Sequence, residues 1–67
     1  MTHTTTAAER AAKLEAEALQ AYYVADPRAE ELYRRAARLW RRVEGMLGEA
    51  ERRCTAQAGR ISRENAR

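Results

Sequence analysis

The chain has no phenylalanine and holds one cysteine, one histidine, one proline and three glycines among its 67 residues. A lone cysteine excludes an internal disulfide, and one cysteine with one histidine cannot assemble a structural zinc site. No apolar run approaches the roughly 20 residues that span a membrane. The opening MTHTTTAAER has neither the basic start nor the apolar stretch of a signal peptide. These absences predict a cytoplasmic protein with a reduced thiol, no membrane partner, no metal and no cofactor. His3 has no neighbouring ligands and is read as having no role.

What remains is rich in alanine, glutamate, arginine and leucine, the composition of long helices, so the expected class is all-α. A chain this short buries too little surface to be comfortably stable alone, so packing against a second copy is expected. The formal charge of +3 is unevenly spread. Residues 1–26 carry two basic and four acidic side chains, and residues 27–67 carry eleven and six.

Residues 1–5 show no periodicity and read as a disordered tail, followed by a single helical domain over 6–64 and a short tail over 65–67. Thr6 and Glu9 form a capping box. Behind it the rows Ala7, Ala11, Leu14, Ala18 and Ala8, Ala12, Ala16, Leu19, Tyr23 predict a first helix over about 7–24. In the stretch ADPRAEE, Asp26 can cap the next helix, Pro27 suits its first position, and Glu30 and Glu31 meet the positive end of its dipole. So short a connection predicts an antiparallel hairpin.

The second helix contains Gly45 and Gly48, each costing about 0.8 to 1 kcal/mol against alanine in a helix interior. The row Leu32, Ala36, Leu39, Val43, Met46, Ala50, Cys54 nevertheless keeps its phase across both, with Ala58 and Ile61 continuing it. That phase favours one long helix over about 27–62 above a three-helix alternative. Its distal row would then lack cover within the chain. The expectation is a helical hairpin with a longer second helix, paired into a homodimeric four-helix arrangement whose core and dimer contacts come from Leu32, Ala36, Leu39, Val43, Met46, Ala50, Cys54 and Ile61.

No phosphate loop, carboxylate pair or serine–histidine pair is present, and a two-helix chain offers little concavity, so an enzyme is not expected. Cys54, beside Arg52 and Arg53, could be a low-pKa thiol, but its place on the apolar row favours packing. Glu9 and Lys13, Glu30 and Arg34, Glu31 and Arg35, and Glu49 and Arg53 are spaced as helix-supporting pairs.

A second row, Tyr33, Ala37, Trp40, Glu44 and Leu47, flanks the first and is bordered by Arg34, Arg38 and Arg41. Aromatic groups ringed by arginines are enriched at protein-binding hot spots, so Tyr33, Arg34, Arg38, Trp40, Arg41 and Leu47 are the candidate partner-binding residues. The competing reading packs Tyr33 and Trp40 under the first helix. A nucleic-acid stripe is disfavoured because Glu30, Glu31, Glu44, Glu49 and Glu51 interrupt it.

The block Tyr33 with RRAARLW, following a helix that carries the pair Leu14–Glu15, resembles the AraC negative regulator family and the PerC-like family over roughly residues 9–58. AEELYRRA also resembles the second helix of a tetratricopeptide unit. The first resemblance implies a small dimer that binds transcription factors or nucleoid proteins and changes their output. The chain is also similar in kind to phage-encoded anti-activators of LuxR-type quorum-sensing receptors. The function expected is a non-enzymatic inhibitor of a host or cellular transcriptional regulator. Direct DNA binding and a purely structural self-assembly module are the alternatives.

Overall fold

The computed structural model describes residues 6–45 and 48–66. Among them the chain is all-helical, with α1 over Ala7–Tyr23, α2 over Ala29–Glu44 and α3 over Glu49–Asn65. The tail expected over 1–5, the expected core residue Met46 and the expected partner residue Leu47 lie outside the described residues. None of the described helices is long and apolar enough to cross a membrane.

α1 starts where its capping residue lies. The Thr6 hydroxyl oxygen accepts the Glu9 backbone N–H at 3.1 Å, satisfying one of the orphan donors of the first turn. At its other end the Asp26 N–H reaches the Ala21 carbonyl at 2.8 Å and the Ala25 N–H reaches the Tyr22 carbonyl at 3.1 Å. These are the two bonds of a Schellman motif, which needs a left-handed residue at its hinge. Here that residue is Ala25, with φ of 57°, where glycine is usual.

The chain then reverses through Asp26. Its carboxylate accepts the Arg28 backbone N–H at 2.9 Å and its carbonyl accepts the Ala29 N–H at 3.0 Å. Asp26 thus holds the turn that leads into α2, but the helix starts at Ala29 with Arg28 at its N-cap and no side-chain cap bond, so Asp26 and Pro27 lie in the turn and not at the cap and first helical position that the sequence suggests. The Arg28 guanidinium closes back on the same carboxylate at 3.1 Å. The hairpin of α1 and α2 is antiparallel, Leu14 lying beside Leu39 at one end and Ala21 beside Leu32 at the other.

The second helix does not run through the glycines. The helix expected over 27–62 is two helices, because Gly45 takes φ of 79° and ψ of −158°, a backbone region essentially restricted to glycine. Gly48 opens α3, and a Cβ there would collide with the Glu44 side chain. That side chain accepts the Ala50 N–H at 3.2 Å, so the end of α2 caps the start of α3. α3 folds back antiparallel to α2, with Arg41 near Glu51 at 3.9 Å.

This reversal explains why the apolar phase survives the break. Ala50, Cys54, Ala58 and Ile61 form a buried row on α3 that packs inside the same chain, so the distal row expected to need a second copy is already covered. The core is built mostly of alanine: Ala11, Ala18, Ala29, Ala36 and Ala58 are at most 1% exposed, and the largest fully buried side chain is Cys54. Alanine at the crossings lets helix axes approach closely. Leucine and valine are displaced outward, with Leu14, Leu32 and Leu39 half-buried and Leu19 and Val43 exposed at 41% and 39%.

Two substitutions at the connections should act in opposite directions. Ala25→Gly relieves a left-handed alanine and should raise unfolding free energy by about 0.5 to 1 kcal/mol. Gly45→Ala imposes the strain of its backbone region and should lower it by about 1 to 3 kcal/mol, although its Cβ would meet open space. Urea unfolding followed by circular dichroism measures both, and equal effects would mean that the junctions do not adopt these angles.

Candidate functional site

Glu15, near the middle of α1, makes the one tie among described side chains that reaches both other helices. Its Oε2 accepts from Arg53 Nε at 2.8 Å, and its Oε1 accepts from Arg53 Nη2 at 2.9 Å and from Trp40 Nε1 at 3.0 Å. A carboxylate gripped by a guanidinium fork is the strong form of the ion pair, and a partly buried indole N–H needs an acceptor. The Arg53 fork holds the Glu15 carboxyl below its ordinary 4.5, opposed by partial burial and helped by the indole. The same contact raises the Arg53 pKa. Arg53, spaced to pair with Glu49 in its own helix, is instead engaged by Glu15.

Around this clamp α1 and α3 stand apart over α2 and leave a groove of about 670 Å³. Ala12, Ala16 and Leu19 form the α1 wall, Arg53 and Gln57 the α3 wall, and Tyr33 and Trp40 lie beneath. The groove is apolar apart from its α3 rim and the clamp. Its small residues on one wall leave room for a helix backbone to approach.

The expected partner-binding residues are not brought together on one surface. Tyr33 is 4% exposed and belongs to the core, where burial raises its phenol pKa. Trp40 is half-buried on the α1 side. Arg34, Arg38 and Arg41 line a separate groove of about 200 Å³ on the other side of α3, with Thr55 and Glu51. The ring of arginines around the aromatics is divided because α3 packs between them. Arg34 and Arg35 bond Glu30 and Glu31 at 2.9 and 3.2 Å, as their spacing predicts.

The two rows of α2 share the core, Ala36 coming from the Leu32 row and Tyr33 and Ala37 from the other. Tyr33, Ala36 and Ala37 are buried, whereas Leu32 and Leu39 are half-buried and Val43 is exposed. Of the residues expected in the core or dimer, Ala36, Ala50, Cys54 and Ile61 are in the core of one chain. Glu15 and Arg53 were not among the candidate site residues. The signal that could have found Glu15 is the single tryptophan on an apolar row, whose N–H demands a partner from a neighbouring helix.

Cys54 is fully buried beneath the clamp, and burial first, then the nearby Glu15 charge, push its thiol up to about 11. It is held as a neutral thiol at neutral pH, against the low-pKa alternative that Arg52 and Arg53 suggest. Among the described residues no group of three His, Cys, Asp or Glu side chains could hold a metal ion. Comparison with protein-family models, with curated proteins and with solved structures finds no match to this chain.

Removing the clamp should be measurable in stability. Glu15→Ala leaves a partly buried indole N–H unpaired and should cost about 1 to 2 kcal/mol. Because the folded-state pKa of Glu15 lies below 4.5, its contribution is complete above about pH 4.5 and is lost as the pH falls through that lower value. The gap between wild type and Glu15→Ala in urea unfolding should therefore close in acid, and a gap independent of pH would show that the charge is not what holds the helices. A thiol reagent should label Cys54 slowly in native protein and rapidly in urea. Fast native labelling would mean that α3 is not seated on the core.

Proposed function

We propose that the protein acts by binding rather than by catalysis, as a small homodimeric adaptor that docks a helical segment of a regulatory protein, foremost a transcriptional regulator, and inhibits it. The observation that carries this reading is the groove between α1 and α3. Three helices surround a trough of about 670 Å³ bridged by the Glu15–Arg53 contact, with Leu19 exposed at 41% on its wall and Trp40 half-buried beneath. An amphipathic helix laid into such a groove uses apolar anchors at one-turn spacing. The fixed Glu15–Arg53–Trp40 constellation would offer a preorganised polar contact at its centre, which limits the ordering cost of binding.

The regulatory class of partner rests on the resemblance of the Leu14–Glu15 and Tyr33–RRAARLW blocks to small helical modulators of transcription. The separation of Arg34, Arg38 and Arg41 from the aromatics favours the groove over the arginine-rimmed surface as the binding site. The pairing of Arg34 with Glu30 and of Arg41 with Glu51 weighs against a continuous phosphate-binding stripe.

Tagged protein presented to nuclease-treated bacterial lysate should retain a DNA-binding regulator in stoichiometric amount. Leu19→Glu, a change at an exposed wall position, should reduce that retention at least about tenfold without loss of helix content. Arg38→Glu, on the far side of α3, should leave it intact. Retention lost with Arg38→Glu and kept with Leu19→Glu would move the site to the arginines, and duplex binding that falls steeply with salt would replace this function with DNA binding.

A further inference from the structure

We propose that the half of the groove beyond the clamp, bounded by Leu19, Tyr33 and Gln57, receives the carboxamide of a glutamine or asparagine side chain from the docked helix. This names the polar anchor of the site already described and rests on that reading.

The three residues fall on one side of the clamp because of how the helices run. Glu15, Trp40 and Arg53 meet at one point. Leu19 is one turn forward of Glu15, Gln57 one turn forward of Arg53, and Tyr33 two turns back from Trp40. Because α2 is antiparallel to both outer helices, these steps share one direction, reaching about 6 Å along α1 and α3 and about 10 Å along α2. All three residues line the same groove.

Two polar groups in this half have no partner. Tyr33 is 4% exposed, yet its hydroxyl makes no hydrogen bond among the described residues. A phenol so far inside a core ordinarily finds one. Among the described residues no unpaired polar side-chain atom is fully enclosed, so the hydroxyl keeps an opening, and Tyr33 lines the groove. The carboxamide of the half-buried Gln57 is likewise unpaired. Burial above all keeps the phenol protonated, so it can donate as well as accept.

The charges of the groove select an uncharged ligand group. Glu15 and Arg53 are paired with each other, so an entering carboxylate or ammonium would shed its hydration without meeting a free counter-ion. A carboxamide offers a carbonyl and an amide N–H together, enough to satisfy Tyr33 and Gln57 at once, whereas a hydroxyl has a single proton to donate. The methylene stem of such a side chain would lie against Ala16 and Leu19.

Trp40 is the single tryptophan, so its indole N–H gives one NMR signal within the groove. Titration with 4-methylbenzamide should shift that signal and saturate. Toluene, the same ring without the amide, should bind more weakly, and 4-methylbenzoate at least about tenfold more weakly than the amide. Tyr33→Phe and Gln57→Leu should each weaken amide binding roughly three- to tenfold and leave toluene unchanged. Tyr33→Phe should not lower the urea midpoint of the free protein, and a fall would place the hydroxyl in an internal bond and overturn the assignment.

No shift with the amide, a preference for the benzoate, or amide binding unmoved by both variants also overturns it, while the docking groove stands on its Leu19→Glu test. The regulator retained from lysate should be held roughly three- to tenfold less by Tyr33→Phe. Full retention beside an amide-selective groove would assign the subsite to a free small amide and overturn the side-chain source. If wild type retains no regulator, the docking function and the helical source fall together, and the titration still reports the amide site.

Discussion

One carboxylate reaches all three helices. Glu15 on α1 accepts from Trp40 on α2 and from Arg53 on α3, and these contacts hold a small chain whose two outer helices otherwise meet mainly through the middle one. Hydrophobic burial alone defines such an arrangement poorly, because an alanine row offers little shape for a neighbour to lock into. A bidentate, directional contact fixes the spacing of α1 and α3, and with it the width of the groove between them. The fully buried Cys54 lies beneath that contact.

The alanine core has a second effect. Helices that meet through methyl groups pack closely, and among the described residues Tyr33 and Ile61 are the large apolar side chains buried between them. Leu19 is left on one face of the hairpin, and Leu14, Leu32, Leu39 and Val43 on the other. The molecule therefore has two faces of different character, an apolar trough with a polar clamp at its centre and a face where half-buried leucines stand among charged side chains.

Much of this was readable in the residues, and what was not has identifiable causes. The capping box at Thr6, the reversal at Asp26 and Pro27 and the pairs Glu30–Arg34 and Glu31–Arg35 are local, set by groups within one turn of each other. The all-helical class follows from composition. The break at Gly45 was concealed because the apolar row kept its phase, and phase along a row cannot distinguish a helix that continues from one that folds back with the same face inward. The sharing of burial between the Tyr33 row and the Leu32 row has a related cause: α2 packs against both α1 and α3, so neither row alone faces the core. Glu15 and Arg53 lie 38 residues apart and meet only because α3 reverses, so no local spacing announces them.

The alanine interior also reverses the usual response of a protein to mutation. Cores built of leucine and phenylalanine fail chiefly by losing volume, because each truncation opens a void that neighbours cannot fill. Here Tyr33, Cys54 and Ile61 are the buried side chains with volume to lose among the described residues, and at the alanine contacts each added methylene must force two closely approached helices apart. The sequences open to this fold are therefore bounded from above in side-chain size, so drift would retain small residues along Ala11, Ala18, Ala29, Ala36 and Ala58 while the outward leucine positions vary with whatever they touch. Across divergent descendants of such a chain, persistence of alanine would trace the helix contacts, and change among the large apolar residues would trace a change of partner.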